Sequence, residues 1–259
     1  MPDLEDRGWA VFAPHAALTA WVSATNTWLD GYFAEDQNRG EWRHGGTWFP
    51  GVNLLPNDEA GALPDGPPLT GAASDAVLAG EDAARHRWDR AQISICRPGY
   101  PKRDPGESEA AHRYRARRDA AHLDGLLPVG ADRRRHMRER HGAILGLPLN
   151  TADPEAAPFV IYEGSHKIMK DMLTGALAHL APARWADTDI TDVYQAARRE
   201  VFATCQRCTV HVPPGAAYVV HRFALHGVAP WAAPAAGDRR IAYFRPETTR
   251  DPRDWLEGP

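Results

Sequence analysis

The chain has 259 residues, of which 43% are hydrophobic and 25% charged, with a formal net charge of −4, an average composition for a soluble globular protein. That charge argues against a coat for nucleic acid or for an anionic membrane, and no apolar run approaches the ~18 residues needed to span a bilayer. Three cysteines suit reduced thiols better than a disulfide framework. The first residues, Met1-Pro2-Asp3-Leu4-Glu5-Asp6, are acidic where a secretion signal is basic and then apolar, so a cytoplasmic location is expected. The length fits one domain over residues 1–259: an N-terminal helix and irregular arm over 1–90, a core over 91–246 and a tail over 247–259.

Over residues 15–29, Leu18, Trp21, Val22, Thr25 and Trp28 recur every three or four positions, which predicts an amphipathic helix lying on a sheet. Residues 42–68 are rich in Gly and Pro yet carry Trp48, Phe49, Val52, Leu54 and Leu55, as an ordered but irregular arm would. Residues 91–97 alternate strictly and stop at Pro98-Gly99, a strand ending in a turn. Polar, Arg-rich loops are expected from Lys102 to Arg118 and again over 133–140. Between them His122-Leu-Asp124 reads as an extended strand, whose i and i+2 side chains share one face. An imidazole and a carboxylate side by side are two thirds of the 2-His-1-carboxylate triad that holds non-haem Fe(II) with open positions.

Short apolar runs at 142–149 and 158–162 read as buried strands, followed by helices over 167–180 and from about Asp187 to Ala203. Strands return at 209–212, 217–220 and 240–244. Many short strands without strand-helix alternation predict an antiparallel sandwich or barrel with packed helices, mainly β within an α+β class.

Two histidines compete to complete the triad, His221 and His226; the second ends an apolar strand and precedes Gly227, where a side chain can face a cavity mouth. On the last strand Arg240, Ala242 and Phe244 share one face, while Arg239, Ile241, Tyr243 and Arg245 share the other. The first set is the less polar, so Arg240 is expected to point inward and to pair with a carboxylate. Cys205, Cys208 and His211 have a zinc-like spacing but lack a fourth ligand unless Cys96 lies near. His166 is read as a turn or wall residue, and Trp48, Asn53 and Arg97 as candidate substrate contacts.

His122-x-Asp124, the run Phe159-Val-Ile-Tyr-Glu-Gly-Ser-His166-Lys167, Pro214-Gly215, Leu225-His226-Gly227 and the Arg239-Arg240 strand together resemble the phytanoyl-CoA dioxygenase-like family of Fe(II)/2-oxoglutarate oxygenases. The resemblance covers about residues 91–246; Glu163, where the family commonly has Pro, and the Arg-rich insertion depart from it. It implies a double-stranded β-helix, the cupin-like jelly roll. It also implies Fe(II) held by His122, Asp124 and His226, 2-oxoglutarate as cosubstrate with its distal carboxylate on Arg240 or its neighbour Arg239, and O2 as oxidant. The implied reaction is hydroxylation or another oxidation of a substrate C–H bond, with 2-oxoglutarate going to succinate.

A small molecule, possibly anionic given the flanking arginines, is the expected substrate, with no nucleic-acid or membrane partner. The rival readings are a nucleic-acid demethylase on the same iron core, against which the net charge counts, and a non-catalytic metal-binding jelly-roll sensor, which need not retain all four residues. A halogenase is disfavoured because Asp124 fills the position a halide needs.

Overall fold

The computed structural model describes residues 2–35, 42–234 and 236–258. In chain order the strands are β1 (Trp9–Phe12), β2 (Trp48–Phe49), β3 (Gln92–Cys96), β4 (Leu126–Val129), β5 (Arg134–Met137), β6 (Ala143–Pro148), β7 (Phe159–Glu163), β8 (Gln206–Val210), β9 (Ala217–His221), β10 (His226–Val228) and β11 (Arg239–Phe244). The helices are α1 (Pro2–Asp6), α2 (Ala16–Ala34), α3 (Ala72–Leu78), α4 (Glu109–Arg117), α5 (Ser165–Leu177), α6 (Thr191–Thr204) and α7 (Pro252–Glu257).

Six strands form one antiparallel sheet in the order β1-β9-β6-β11-β3-β2, and β10-β7-β8 form a second. Strands β1 and β2, from outside residues 91–246, thus complete the larger sheet. The two sheets face each other as a jelly roll, and the period-two rule sorts their side chains cleanly. On the larger sheet, Ile93, Ile95, Leu145, Leu147, Ala217, Val219, Ala242 and Phe244 pack outward under α2, whose Leu18, Trp21, Val22 and Leu29 are buried against them. On the smaller sheet, Val160 and Tyr162 pack outward with α5 and α6 through Met169, Leu173, Tyr194 and Val201. The alternate residues Phe159, Ile161, Ile144, Tyr218, Val220, Ile241 and Tyr243 meet between the sheets. Gly146 lies opposite Tyr218 across β6 and β9, and a Cβ at Gly146 would run into that ring. The missing side chain lets a large phenol enter the sandwich.

Helix α2, the irregular arm and strands β3, β6, β7, β9 and β11 fall where periodicity and punctuation place them. Two expectations change. The Lys102–Arg118 segment is not simply loop, because Ser108 accepts from Ala111 N–H and starts α4, a helix with no buried residue and hence no apolar stripe to betray it. Residues 133–140 include strand β5, paired with β4 as a hairpin. No helix among the described residues is long and apolar enough to cross a membrane.

Candidate metal centre and the cavity beside it

The chain from Asp119 to Gly125 is held by tethers rather than by a ladder. Asp119 buries its carboxylate against Arg207, which donates from Nε at 2.9 Å and from Nη2 at 2.8 Å, and the Tyr162 hydroxyl donates to it at 3.0 Å. Just beyond, His122 and His226 exchange both backbone N–H···O bonds, at 2.8 and 3.1 Å. Gly227 allows this crossing, since a Cβ there would strike the Asp119 carbonyl. The expected strand through His122 and Asp124 is therefore corrected to a single bridge. Positive φ at Asp119 and Ala120, then at Gly125, breaks the ladder on both sides.

The two side chains converge all the same, with His226 as the third member. His122 Nδ1 lies 3.0 Å from the Ala120 carbonyl, and His226 Nδ1 lies 3.0 Å from that of Ala224. As the carbonyls can only accept, each Nδ1 carries the proton and each Nε2 presents a lone pair. His122 Nε2 is 3.2 Å from Asp124 Oδ1, and His226 Nε2 is 3.6 Å from Oδ2. His226 Nε2 is buried with no hydrogen-bond partner. Among the described residues, these three form the one group of His, Cys, Asp or Glu able to hold a metal ion. Three donors on metal bonds of about 2.1 Å at right angles would sit about 3 Å apart, near the 3.2 and 3.6 Å that separate Asp124 from the two imidazoles.

Protonation states suit the same role. Burial pushes His226 down from the usual imidazole range, against the pull of Asp124, so the ring is neutral. Burial alone would raise the Asp124 carboxyl, but the charge of Arg245 and the two imidazoles outweigh it and hold it well below the carboxylate range. Arg245 donates from Nε to Asp124 Oδ2 at 2.6 Å and from Nη1 to Gln92 Oε1 at 2.7 Å. One carboxylate oxygen is thereby engaged and Oδ1 is left toward His122. Alternation groups Arg245 with Arg239 on the face expected to point away from the site, and assigns it no role.

The register of β11 corrects the expectation for Arg240. Its side chain pairs with Asp238 at 3.0 Å, and its face carries Ala242 and Phe244 into the α2 layer. Arg239, Ile241, Tyr243 and Arg245 face the space between the sheets. The less polar face of β11 was the wrong guide, because that face meets helices while the more polar one meets the site. Arg239 is 5% exposed; Nη2 donates to Cys96 Sγ at 3.2 Å, whereas Nε and Nη1 are buried without any partner. Burial keeps the Cys96 thiol protonated, so it offers no countercharge. Tyr218 and Tyr243, whose hydroxyls are 3.2 Å apart, stack around Phe159, and Phe159 stacks on His226 at 5.5 Å. The guanidinium and the candidate metal ligands are joined by this aromatic layer.

A cavity of about 930 Å³ opens over His122 and Asp124, and Asn53, Gln92, Asp89 and Arg245 line it. Trp48 is not among its lining residues; it donates to Ser94 Oγ at 3.2 Å and packs with Cys96, toward the Arg239 end. Arg97 is exposed and stacks on Trp42 at 3.6 Å. His221 packs against His166 with ring centroids 4.9 Å apart and accepts from Phe223 N–H, outside the triad. Cys205, Cys208 and His211 form no metal-holding group with Cys96, which is committed to Arg239.

No family model and no curated protein matches the sequence. Solved structures do match in shape. The non-heme alpha ketoglutarate dependent carbocyclase SnoK from nogalamycin biosynthesis aligns with a TM-score of 0.52 at 14% identity, over 95% of this chain and 81% of that one. AviO1 from Streptomyces viridochromogenes Tue57 gives 0.47 at 15% identity over 94% and 91% of the two chains, and HygX from Streptomyces hygroscopicus, with nickel, 2-oxoglutarate and hygromycin B bound, gives 0.43 at 14% over 95% and 85%. The likeness to SnoK shows a shared fold: an antiparallel jelly-roll core with helices packed outside it.

Proposed function

We propose that the chain is a single-domain Fe(II)/2-oxoglutarate-dependent dioxygenase that oxidises a C–H bond of a small, anionic molecule. One observation carries the reading: the sandwich encloses an open N,N,O donor set together with a buried arginine that lacks a counterion among the described residues. A lone buried charge costs several kcal/mol, so an unpaired guanidinium at the heart of a fold calls for an anion from outside the chain. The dianion 2-oxoglutarate suits both ends. Its distal carboxylate would take the paired N–H groups of Arg239, and its keto-acid end would reach the position defined by His122, Asp124 and His226.

Bound there, Fe(II) with 2-oxoglutarate and O2 would supply the oxidising chemistry, with succinate and CO2 as coproducts. The chain's own part is orientation and electrostatics. The Ala120 and Ala224 carbonyls fix both imidazole rings in the tautomer that exposes Nε2. Arg245 holds the Asp124 carboxylate ionised and turned, with one oxygen free. His226, at 2% exposure, stands at the dry end, and His122, at 51%, faces the cavity where substrate would enter. Phe159, Tyr218 and Tyr243 exclude water between the iron position and Arg239, which strengthens both charge interactions.

The test is 2-oxoglutarate consumption and succinate release over a panel of carboxylated, phosphorylated and neutral metabolites, with Fe(II) supplied. Iron-dependent succinate formation that disappears in Asp124→Ala is the expected result. A protein that leaves 2-oxoglutarate at the level of the Asp124→Ala control contradicts the reading.

A further inference from the structure

Seven arginines line the cavity, and they differ in their partners. Arg115 is spent on Glu107 at 2.8 Å, Arg138 on Asp187 at 3.8 Å and Arg245 on Asp124 at 2.6 Å. Arg133, Arg135, Arg140 and Arg198 make no ion pair among the described residues; Arg133 is exposed and Arg140 is shared with two neighbouring clefts, which leaves Arg135 and Arg198 within this one. Arg135 reaches only the Leu126 carbonyl, at 3.3 Å. Arg198 lies over three rings, 4.6 Å from the Tyr114 centroid, 5.2 Å from Tyr194 and 5.8 Å from Phe202, and its Nε has no hydrogen-bond partner. Aromatic faces orient a guanidinium and stabilise its charge, and the Tyr114 hydroxyl is also in hydrogen-bond contact with Arg198, yet Nε is left unsatisfied.

The place of this cage gives it meaning. Tyr114 donates to the Ala121 carbonyl at 2.6 Å, and Leu123 N–H donates to the Tyr194 hydroxyl at 3.2 Å. The rings that hold Arg198 are therefore bonded to the chain on both sides of His122. Tyr194 also reports the second guanidinium: burial pushes its hydroxyl up, and Arg198 and, more weakly, Arg135 push it back. The nearby acids do not neutralise the pair. Asp124 belongs to the donor set, Glu139 faces His141 at 3.2 Å, and Asp89 accepts from the Arg245 backbone N–H at 2.8 Å.

We propose that Arg135 and Arg198 form an oxyanion subsite for the substrate, binding its carboxylate or phosphate group beside the His122–Asp124 segment and apart from Arg239. The assignment rests on the oxygenase reading for calling the ligand a substrate. Two guanidinium groups in a walled cavity favour a compact anion, and anchoring that end holds the rest of the molecule over the exposed face of His122.

Calorimetric titration of the metal-free protein with phenyl phosphate, benzoate and benzyl alcohol tests it. One saturable site is expected for at least one of the two anions, with the preferred arm naming the oxyanion, and none for the alcohol. Arg198→Gln and Arg135→Gln each weaken that site tenfold or more, while Arg239→Gln leaves it unchanged. Circular dichroism verifies folding, and Arg198→Lys, which keeps the charge and loses the planar fork, gives an intermediate affinity if Arg198→Gln fails to fold. Wild-type binding in either Arg198 variant, a loss that follows Arg239 instead, or equal binding of the alcohol overturns the subsite. Because no metal or 2-oxoglutarate is present, a failed oxygenase reading would leave this result untouched, and the iron titration described below reports on that reading separately.

Discussion

Arg207 and Arg239 stand on the two sheets of one sandwich and meet opposite ends. Arg207 closes on Asp119 with two hydrogen bonds, and Tyr162 completes the carboxylate's shell. Arg239 closes on a neutral thiol and leaves two nitrogen atoms bare. The first is a finished structural device that fixes the loop bearing His122 and Asp124. The second is unfinished within the described chain, which is what supports proposing it as the place of a ligand. Burial alone does not separate the two; the completeness of the partners does.

The comparison is sharpest when each arginine loses its function. Arg239→Gln should lower 2-oxoglutarate affinity by up to about 4 kcal/mol, roughly a thousandfold, as expected for deleting one member of a buried charge pair. In the metal-free protein the same change should leave the denaturation midpoint equal or higher, because an unpaired buried charge is removed. Arg240→Gln, paired on the surface with Asp238, should change the affinity less than threefold. Equal losses at both positions would restore Arg240 as the anchor.

Breaking the finished pair should act the other way, on stability first. Asp119→Ala leaves the Tyr162 hydroxyl and the Arg207 guanidinium without their acceptor and should cost about 3 kcal/mol in denaturant unfolding. Arg207 is itself 43% exposed, so water recovers part of the loss. A midpoint unchanged from wild type would mean the tether is ornamental.

A smaller effect belongs to Asp89, whose carboxylate accepts from Arg245 N–H at 2.8 Å at the cavity edge. Burial raises its pKa from 3.8 to about 6, so the folded protein holds this proton to higher pH than the unfolded chain does. The associated stability is complete below pH 3.8 and lost as pH rises through about 6. Its size is about 2 kcal/mol after allowance for partial solvation. Asp89→Asn keeps an acceptor for Arg245 and should flatten the unfolding free energy across that window; an unaltered slope would place the proton elsewhere.

The three donor residues could be read from the chain because each lies beside its own punctuation: His122 and Asp124 in an H-x-D tripeptide, His226 before Gly227. Helix α2 could be read from its spacing. Arg239 could not be separated from Arg240 by alternation, since both faces of β11 are covered and hydrophobicity then points to the helix layer. The tether of Asp119 by Arg207 and the cage of Arg198 by Tyr114 join residues more than eighty positions apart, and no local pattern records such pairs. Helix α4 escaped notice because it buries nothing.

The most direct measurement is an anaerobic titration of Fe(II) and then 2-oxoglutarate into the metal-free protein, followed in the visible range. One Fe(II) per chain and a weak charge-transfer band on adding 2-oxoglutarate are predicted for wild type and for His221→Ala, with no band in His226→Ala. A band that survives in His226→Ala and vanishes in His221→Ala, or its absence from wild type, would contradict the assignment of His122, Asp124 and His226 as the metal ligands.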